Sequence, residues 1–335
     1  MSDKLTSSKY DDYTSHLLRP DQIMNAEITL HLYQQFYQTD HSQGPSLPSG
    51  KADSMRFLSS LTACLEHVDG LILDSYGVIG LGTAPIDGIQ AFFAQAQKRN
   101  IPIVILTNGA SQPAAARVAG YQSWDLPIIA RDIISSRDAC FVEMQRIRAE
   151  NPNARFSYLG HHVRPFAEFE GALIGDDNSA PHQFDEADYY IFMGAIGWQE
   201  EHQAILQDAL HKSQGTVIVA NPDISAPQAD GFSFEPGFWA MKAQNETGCP
   251  LILTGKPYAS AFELAFAALQ EKAGYQLDKN RVGMVGDSLH TDILGANHFG
   301  LISILLSGYG LLKGYDITQI TNQCQIYPDI IVPII

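Results

Sequence analysis

Short apolar runs alternate with longer amphipathic segments from residue 68 onward. The run at residues 71–73 ends at Asp74, and the run at residues 103–106 ends at Thr107. Between these runs, a segment that begins near Pro85 carries apolar residues at the i, i+3, i+4 and i+7 positions of one helix face. These residues are Ile89, Phe92, Phe93 and Ala96. The order strand, helix, strand predicts a βαβ unit, and parallel strands of this kind are usually buried on both faces.

The same pattern returns in the last third of the chain. Apolar runs at residues 251–253, 282–285 and 301–306 predict three further strands. Between the first two runs, Pro257 suits the first turn of a helix, and Gly274 is placed to end that helix. The apolar stripe of this predicted helix consists of Phe262, Ala265, Phe266 and Leu269.

The block between these two regions has predicted strands of its own, at residues 189–193 and 216–220. The simplest topology is therefore one α/β core that is split by an inserted second domain. The predicted parts are a core (residues 56–152 and 249–335), an inserted domain (residues 153–248) and an N-terminal extension with a linker (residues 1–55).

The first 55 residues do not follow this pattern. Residues 40–54 are rich in glycine, proline and serine, which predicts a linker or an irregular loop. Before this linker, one set of apolar residues alternates as in a strand, and an overlapping set lies on one helical face. The first set is Ile28, Leu30 and Leu32, and the second set is Leu32, Tyr33, Phe36 and Tyr37. Both interpretations stay open, and we expect the segment to pack on the main body as an appendage.

The charge balance limits the classes of partner. The chain has 335 residues, with 21 lysines and arginines against 37 aspartates and glutamates, so its formal net charge is −16. This charge repels nucleic-acid phosphates, and the sequence has no basic run that would offset it locally. The expected partners therefore exclude nucleic acid. A hydrophobic content of 45% allows a substantial core and argues against wholesale disorder.

The sequence also argues against a membrane location. The longest apolar stretch, residues 301–312, is interrupted by Ser307, Gly308 and Gly310 and is too short to cross a bilayer. The first residues contain no apolar signal region. The four cysteines lie far apart and are typical of reduced, buried thiols: Cys64, Cys140, Cys249 and Cys324. We therefore expect a cytoplasmic protein with no membrane partner.

Polar residues follow four of the predicted strands. The clusters are Asp74-Ser75-Tyr76-Gly77, Thr107-Asn108-Gly109, Gly255-Lys256-Pro257, and Gly286-Asp287 with Asp292 nearby. In an open parallel sheet, the loops at the carboxyl ends of the strands share one edge, and ligands bind there. We therefore expect these carboxylates, the lysine and the hydroxyl-amide pair to face one cavity.

Carboxylates held this close together need a cation, and their hard oxygen ligands suit Mg²⁺. A divalent metal, a lysine and a nucleophilic aspartate are a set of groups suited to phosphoryl transfer.

The four segments resemble the four motifs of the haloacid dehalogenase (HAD) superfamily of aspartate-nucleophile hydrolases. They read LILDSYGVI, VILTNGAS, LTGKPYASAFELA and MVGDSLHTDILGA. Their order and spacing most resemble the class IIA, NagD-type branch of sugar-phosphate and nucleotide phosphatases, and Asn221-Pro222-Asp223 is similar to the NPD signature of that branch's cap domain. The resemblance covers about residues 68–310. It implies an α/β fold, with a Rossmann-like parallel-sheet core and an inserted α/β cap of the C2 type.

The resemblance implies a nucleophile and a metal site by matching position. Asp74 would attack phosphorus and form an aspartyl-phosphate. The Asp74 carboxylate, the Tyr76 backbone carbonyl and Asp287 would bind Mg²⁺, and Asp292 would support the metal shell.

The resemblance also implies residues that bind the phosphoryl group and the substrate. Thr107 and Lys256 would hold the transferring phosphoryl oxygens, with Asn108 and Gly109 beside them. The substrate-binding residues of the cap would be Asn221 and Asp223. Such donors and the metal favour the charge that develops in the transition state.

Tyr76 departs from the phosphatase pattern. The phosphatases that the chain resembles carry an aspartate at this position, two residues after the nucleophile, as the general acid and base. Members that remove halides carry a tyrosine there but lack the acidic metal cluster, which this chain retains in Asp287 and Asp292. We favour phosphate chemistry, by either a slow phosphatase that prefers good leaving groups or one with a displaced acid-base residue. The alternatives are a metal-independent, dehalogenase-like C–X hydrolase and a catalytically impaired protein that binds a phosphorylated ligand.

Several candidate residues also have a structural interpretation. Thr107 and Asn108 could simply form a turn, and Asp292 could cap a helix that starts near Thr291. Asn221-Pro222-Asp223 is composed of ordinary turn formers, so a structural turn there is as well supported as a substrate contact.

Two further groups of residues invite a functional interpretation. His161 and His162 are adjacent, so their side chains point apart, and we expect a surface or loop pair and not a metal site. Four aromatic residues could line the substrate crevice, although packing within the cap is the favoured interpretation: Phe232, Phe234, Phe238 and Trp239.

These inferences together predict an Mg²⁺-dependent hydrolase of small phosphate monoesters, with a small phosphorylated metabolite as its partner. The cap would close over the site, exclude water and determine specificity. Class IIA relatives are often dimers through their caps, so the resemblance also suggests a homodimer.

Overall fold

The computed structural model describes residues 26–38, 45–175, 186–228 and 231–335. Two parallel β-sheets with packed helices account for most of this part of the chain. The predicted α/β fold is confirmed.

The larger sheet has seven strands, and all of its neighbouring strands are parallel. In spatial order they are β1 (Arg56–Phe57), β16 (Ile330–Val332), β15 (Ile302–Leu306), β14 (Val282–Gly286), β2 (Gly70–Leu73), β5 (Ile103–Thr107) and β6 (Ile133–Ser135). We call this sheet and the helices on its faces the core.

The smaller sheet has five strands, which are also parallel. In spatial order they are β13 (Leu251–Leu253), β10 (Thr216–Val219), β9 (Tyr189–Phe192), β7 (Phe156–Leu159) and β8 (Gly171–Ile174). We call this sheet and its helices the cap.

Helices and two antiparallel strand pairs complete the fold. The pairs are β3 (Gly80–Leu81) with β4 (Ala84–Pro85), and β11 (Ser225–Gln228) with β12 (Gly231–Phe234). The α-helices are α1 (Ala26–Gln38), α2 (Leu61–Cys64), α3 (Ile89–Lys98), α4 (Ala114–Ser123), α5 (Ser136–Glu150), α6 (Glu200–Ser213), α7 (Pro236–Thr247), α8 (Ala259–Ala273), α9 (Leu294–Phe299) and α10 (Ile317–Cys324). A π-helical turn at Leu289–Ile293 leads directly into α9.

Strand β13 belongs to the cap, whereas the sequence pattern predicts that the core resumes at residue 249. Its residues pair in register with Val217–Val219 of β10. An apolar run of three residues does not encode which sheet it joins, because both sheets offer a parallel neighbour. The chain returns to the core only after this strand, and it does so directly through Gly255 and Lys256.

Alternate residues of the central core strands pack on opposite faces of the sheet. Leu71 and Leu73 of β2 contact the hydrophobic cluster that includes α3, while Ile72 lies in the cluster that includes α8. The predicted helix stripes face these clusters. In α3 the four residues of the stripe are buried, and in α8 Phe262, Ala265 and Leu269 are buried. The sheet is therefore covered on both faces, as the apolar runs predicted.

Residues 26–38 form a helix, so the strand alternative for residues 28–32 is wrong. Helix α1 buries Leu30, Leu32 and Tyr33 against the rest of the protein, as expected for an appendage that packs on the main body. Much of the predicted extension, including residues 40–44 of the linker and the first 25 residues, lies outside the described residues, as do the side chains of Phe36 and Tyr37.

The predicted state of the cysteines is confirmed, because all four are free and buried. None of the described helices is long and apolar enough to span a lipid bilayer.

We predict that Phe262→Ala lowers the free energy of unfolding by about 3–5 kcal/mol, because it empties a fully buried site between α8 and the core sheet. Denaturation in urea, followed by circular dichroism, measures this change. The control is Phe57→Ala on edge strand β1, where the side chain is 63% exposed, and we expect a change within about 0.5 kcal/mol. Equal losses for both variants would contradict this account of the core.

Candidate active site

A cavity of about 700 Å³ lies where the core and the cap meet. This volume is within the range of sites that bind small molecules, about 300–1,000 Å³. Its wall contains every residue that the sequence analysis assigned to the site except Asp292: Asp74, Tyr76, Thr107, Asn108, Gly109, Asn221, Asp223, Lys256 and Asp287. Asp292 lies behind this wall and is fully buried.

Lys256 lies at the floor of the cavity between two carboxylates. Its ammonium nitrogen Nζ is 2.6 Å from Asp74 Oδ1 and 2.6 Å from Asp292 Oδ1. All three side chains are nearly or fully buried. Burial alone would lower the pKa of Lys256, but the charges of Asp292 and Asp74 outweigh it and raise the pKa above its ordinary value. The lysine is therefore a permanent cation of the site.

The two oxygens of Asp74 have different surroundings. Oδ1 pairs with the ammonium group of Lys256, and it accepts a hydrogen bond from the backbone N–H of Ser75, with 2.7 Å between the nitrogen and Oδ1. Within the described part of the chain, Oδ2 accepts no hydrogen bond. One oxygen thus fixes the carboxylate, and the other is available for attack on an electrophile in the cavity.

Asp287 lies where two glycines come close to its carboxylate. The backbone N–H of Leu311 donates to Asp287 Oδ2 at 2.9 Å. Gly77 and Gly310 both have positive φ angles, +78° and +65°, and a Cβ atom at either would lie 2.3 Å or 1.6 Å from Asp287 Oδ2. No other residue type fits at these two positions without moving the carboxylate.

Three buried carboxylates could hold a divalent cation. One oxygen from each of Asp74, Asp287 and Asp292 lies within 4.8 Å of the others. With Lys256 included, three negative charges and one positive charge leave two negative charges, which one Mg²⁺ ion would balance. The donors are hard oxygens, the type that Mg²⁺ prefers. The residues present therefore fit the predicted metal.

Without a metal, two carboxylates of this cluster, Asp287 and Asp74, have raised pKa values. Burial and the charge of Asp292 raise the pKa of Asp287 to about 7. Burial also raises the pKa of Asp74 well above its ordinary value, even though Lys256 opposes the shift. These pKa values are functional-site signals, because ordinary surface carboxylates ionise near pH 4.

Asn108 connects the core loops to the cap. Its side-chain oxygen accepts the Lys256 backbone N–H at 2.7 Å, and its side-chain nitrogen donates to Asp223 Oδ1 at 2.8 Å. Thr107 accepts the Gly109 N–H at 3.2 Å, so the predicted turn is also present. A Cβ atom at Gly109 would lie 2.6 Å from a guanidinium nitrogen of Arg117, which lines the cavity from α4.

The cap wall carries two carboxyl groups. The side-chain oxygen of Asn221 accepts a hydrogen bond from the Asp223 N–H at 3.0 Å, and its side-chain nitrogen donates to Glu235 Oε2 at 3.3 Å. Asn221 therefore forms the predicted turn and also lines the cavity. Burial raises the pKa of Asp223 to about 6, against the charge of Lys256. Burial likewise raises the pKa of Glu235 to about 7, against a hydrogen bond from Ser233.

Asp292 lies inside the π-helical turn Leu289–Ile293 and is not its N-cap, which is Ser288. Its Oδ1 pairs with Lys256, and its Oδ2 accepts the Ser288 backbone N–H at 3.2 Å. The residue therefore stabilises the π-helical turn that carries it while it lies within the carboxylate cluster.

The aromatic residues of the cap mostly pack within it. Phe238 and Trp239 are buried in the cap's hydrophobic cluster, and Phe232 and Phe234 pack against that cluster. Phe234 and Trp239 also line the cavity.

His161 and His162 lie on the loop after β7 and line the cavity, with His162 exposed. His161 is paired with a residue that is distant in sequence, because its Nε2 lies 3.2 Å from Nε2 of His202 on α6.

Sequence reasoning missed several residues of this region, including four with ionisable side chains. They are Tyr33, Arg117, His202 and Glu235. Only Glu235 had a local signal, since it precedes Pro236 at the start of α7, where an acidic residue is common. The others depend on how distant elements pack, which no local pattern records.

A parallel core, an inserted cap and a buried aspartate paired with a lysine define a capped α/β hydrolase. Two family models match the chain: "Haloacid dehalogenase-like hydrolase" at residues 71–166 and a HAD-hydrolase-like model at residues 253–311. The matched segments contain Asp74, Lys256 and Asp287. These matches confirm the resemblance to the haloacid dehalogenase-like hydrolases that the motifs predicted.

Several known proteins that are similar to this chain have phosphatase names. The acid sugar phosphatase of Staphylococcus haemolyticus is 26% identical over 244 residues, which cover 72% of this chain and 85% of that protein. A possible sugar phosphatase of Cytophaga hutchinsonii has a similar solved structure, with a TM-score of 0.69, 22% identity, and coverage of 83% and 98%. The p-nitrophenyl phosphatase of Archaeoglobus fulgidus has a TM-score of 0.61 and 20% identity, with coverage of 79% and 95%. The two solved structures share the fold.

We predict that Asp287→Asn stabilises the metal-free protein at pH 8 and does so much less at pH 5. The folded-state pKa of about 7 exceeds the ordinary value of 3.8. The unfolded chain therefore ionises first, and stability falls as the pH rises from about 4 to about 7. Asparagine removes this cost and can still accept the Leu311 N–H. Thermal unfolding in EDTA at the two pH values measures the difference.

Added Mg²⁺ should make the wild-type protein more stable than Asp287→Asn, which reverses their order of stability in EDTA. The wild-type protein should gain stability by binding the ion, about 2.7 kcal/mol at a hundred times its Kd, and Asp287→Asn should gain far less. Asp53→Asn, which changes an exposed carboxylate, is the control and should follow the wild type. A variant that is less stable than the wild type in EDTA at pH 8 would contradict the interpretation of Asp287.

Proposed function

We propose that the protein hydrolyses small phosphate monoesters with the aid of a divalent metal ion and forms an aspartyl-phosphate on Asp74. One observation carries this proposal: a carboxylate, a buried lysine and two further carboxylates meet at the floor of a cavity between two domains. Phosphate esters are anions, so a purely acidic site would repel them. The ammonium group of Lys256 and a bound cation make the floor attractive to them.

The proposed metal ligands are Asp74, Asp287 and the backbone carbonyl of Tyr76, with Asp292 as a supporting carboxylate. A bound Mg²⁺ would neutralise phosphoryl oxygens and orient the transferring group. Asp292 holds Lys256 in place through the 2.6 Å ion pair, so its role combines the metal site and the lysine.

The reaction proceeds in two displacements. A carboxylate oxygen of Asp74 attacks phosphorus while the bond from phosphorus to the ester oxygen breaks, and the departing alkoxide takes up a proton. Water then attacks phosphorus, loses a proton, and releases inorganic phosphate and the free Asp74 carboxylate. Lys256 and Thr107 hold the phosphoryl oxygens through both displacements, with Asn108 and Gly109 at the same edge.

Tyr76 limits the proton transfers. It lines the cavity beside Asp74, and its phenol O–H is a donor that can give a proton to a leaving alkoxide. It is a poor base for the water of the second displacement. We therefore propose slow turnover and a preference for good leaving groups.

The proposed substrate class is sugar phosphates and related small metabolites. The cavity is large enough for such a molecule, and its cap wall offers the polar groups of Asn221, Asp223 and Glu235 to a hydroxylated substrate. The names of the acid sugar phosphatases that the chain resembles support this class.

The acidic cluster favours phosphate chemistry over removal of a halide. Displacement of a halide from carbon needs a nucleophilic carboxylate, but it does not need three carboxylates around one point. A requirement for Mg²⁺ separates the two activities, because hydrolysis of a C–X bond should continue in EDTA.

We predict that wild-type protein hydrolyses p-nitrophenyl phosphate in Mg²⁺ and loses this activity in EDTA. Asp74→Asn should lower kcat by about 10⁴-fold or more, because it removes the nucleophile. Release of inorganic phosphate from a panel of sugar phosphates, with and without Mg²⁺, tests the substrate class. Asp53→Asn serves again as the control. Full activity of Asp74→Asn would exclude the proposed nucleophile.

We predict that Tyr76→Asp accelerates hydrolysis, by up to about 10²- to 10⁴-fold, because it supplies a carboxyl group suited to both proton transfers. The gain should be largest for sugar phosphates, whose leaving groups need a proton. Tyr76→Phe is the matched control, and it should slow these substrates further if the phenol is the acid. The absence of any gain in a folded Tyr76→Asp protein would remove the explanation based on Tyr76.

A further inference from the structure

Helix α1 packs against both the core and the cap. Leu30 lies in a core cluster with Leu311 and Leu312, whereas Leu32 lies in the cap's cluster. Residues two apart on an α-helix are separated by about 200°, so these contacts are on opposite faces of α1. The helix therefore lies at the junction of the two domains.

Polar contacts attach α1 to both sides. On the cap side, Thr29 Oγ1 lies 2.6 Å from Ser225 Oγ at a buried position. On the core side, the side-chain amide of Gln34 donates to the Gln323 carbonyl at 3.1 Å. The position of the helix is thus fixed relative to both walls of the cavity.

Tyr33 of α1 lines the cavity. Its hydroxyl oxygen accepts the Ile224 backbone N–H at 3.1 Å, and its O–H donates to Asp223 Oδ1 at 3.5 Å. Its ring stacks on that of His290, with centroids 5.0 Å apart and planes 6° apart. His290 belongs to the core turn that carries Asp292, so the ring rests on the core while the hydroxyl group contacts the cap.

These contacts orient the carboxylate of Asp223. Oδ1 receives donors from two directions, Asn108 of the core and Tyr33 of α1. Among the described residues no donor reaches Oδ2. A carboxylate whose first oxygen is held in this way presents its second oxygen as an acceptor, and a hydroxyl group is the matching donor on a ligand.

We propose that Tyr33 is a positioning residue for substrates with hydroxyl groups: through its contact with Asp223 it makes the site bind polyhydroxylated phosphate esters more tightly than aryl phosphates. This inference rests on the proposed function, and it assigns the N-terminal helix a part in substrate selection. An aryl phosphate such as p-nitrophenyl phosphate has no hydroxyl donor for Asp223 and depends on the phosphoryl site alone.

Binding to an inactive background tests the inference without turnover. The background is Asp74→Asn in Mg²⁺, and calorimetry measures the Kd of a hexose 6-phosphate and of p-nitrophenyl phosphate. Adding Tyr33→Phe removes the hydroxyl group and keeps the ring on His290. The Kd of the hexose 6-phosphate should rise about tenfold, as expected for the loss of one hydrogen bond to a charged group. The Kd of p-nitrophenyl phosphate should stay within about twofold of its original value.

Two controls separate positioning from simple attachment of the helix. Thr29→Val removes a hydroxyl group of the same helix that contacts Ser225, and it should leave the ratio of the two Kd values unchanged. Asp223→Asn should weaken binding of the hexose 6-phosphate selectively, and Tyr33→Phe added to it should have little further effect, because the two residues act as one unit.

The results of these measurements distinguish failure of the inference about Tyr33 from failure of the proposed function. An unchanged ratio in Tyr33→Phe, or the same change in Thr29→Val, overturns the inference and reduces α1 to a structural element. Failure of wild-type protein to hydrolyse any phosphate ester overturns the proposed function instead. Selective binding that depends on Tyr33 would then still support the role of Tyr33 in recognition.

Discussion

The buried ammonium group of Lys256 determines how the site is assembled. An unpaired cation at this depth is strongly unfavourable, and so are carboxylates held close together without a cation. Lys256 resolves both problems by pairing with Asp74 and Asp292 at 2.6 Å each. Asp74 directly follows β2, Lys256 comes shortly after β13, and Asp292 comes shortly after β14. Because β13 belongs to the cap and the other two strands belong to the core, this one interaction fixes loops from both domains relative to each other.

The two domains are consequently coupled at the cavity. Strand β13 belongs to the cap sheet, and only two residues separate its end from Lys256. Asn108 adds a second connection, because it contacts the backbone of Lys256 and the carboxylate of Asp223. A movement of the cap would change the surroundings of the lysine as well as the cavity wall. Helix α1 contacts both domains near the same point, so it shares this constraint.

Much of the fold was predictable because the signals are local. Buried parallel strands appear as short apolar runs, and the stripes of α3 and α8 have the spacing of a helix face. The grouping of the site residues was also predictable, because parallel topology brings the ends of separate strands to one edge of the sheet. This reasoning brought Asp74 and Asp287 together correctly. It also placed Lys256 correctly, although the strand before it lies in the other sheet.

The sequence by itself determined the elements, their order and the residues that carry charge at the ends of the strands, because each of these depends on neighbours a few positions away. Tertiary structure alone decided which sheet β13 joins, that residues 26–38 form a helix at the domain junction, and that Tyr33 reaches Asp223, 190 positions further along the chain. It also decided which carboxyl groups have raised pKa values. Burial and contacts between distant residues set these properties, and no local pattern encodes either of them.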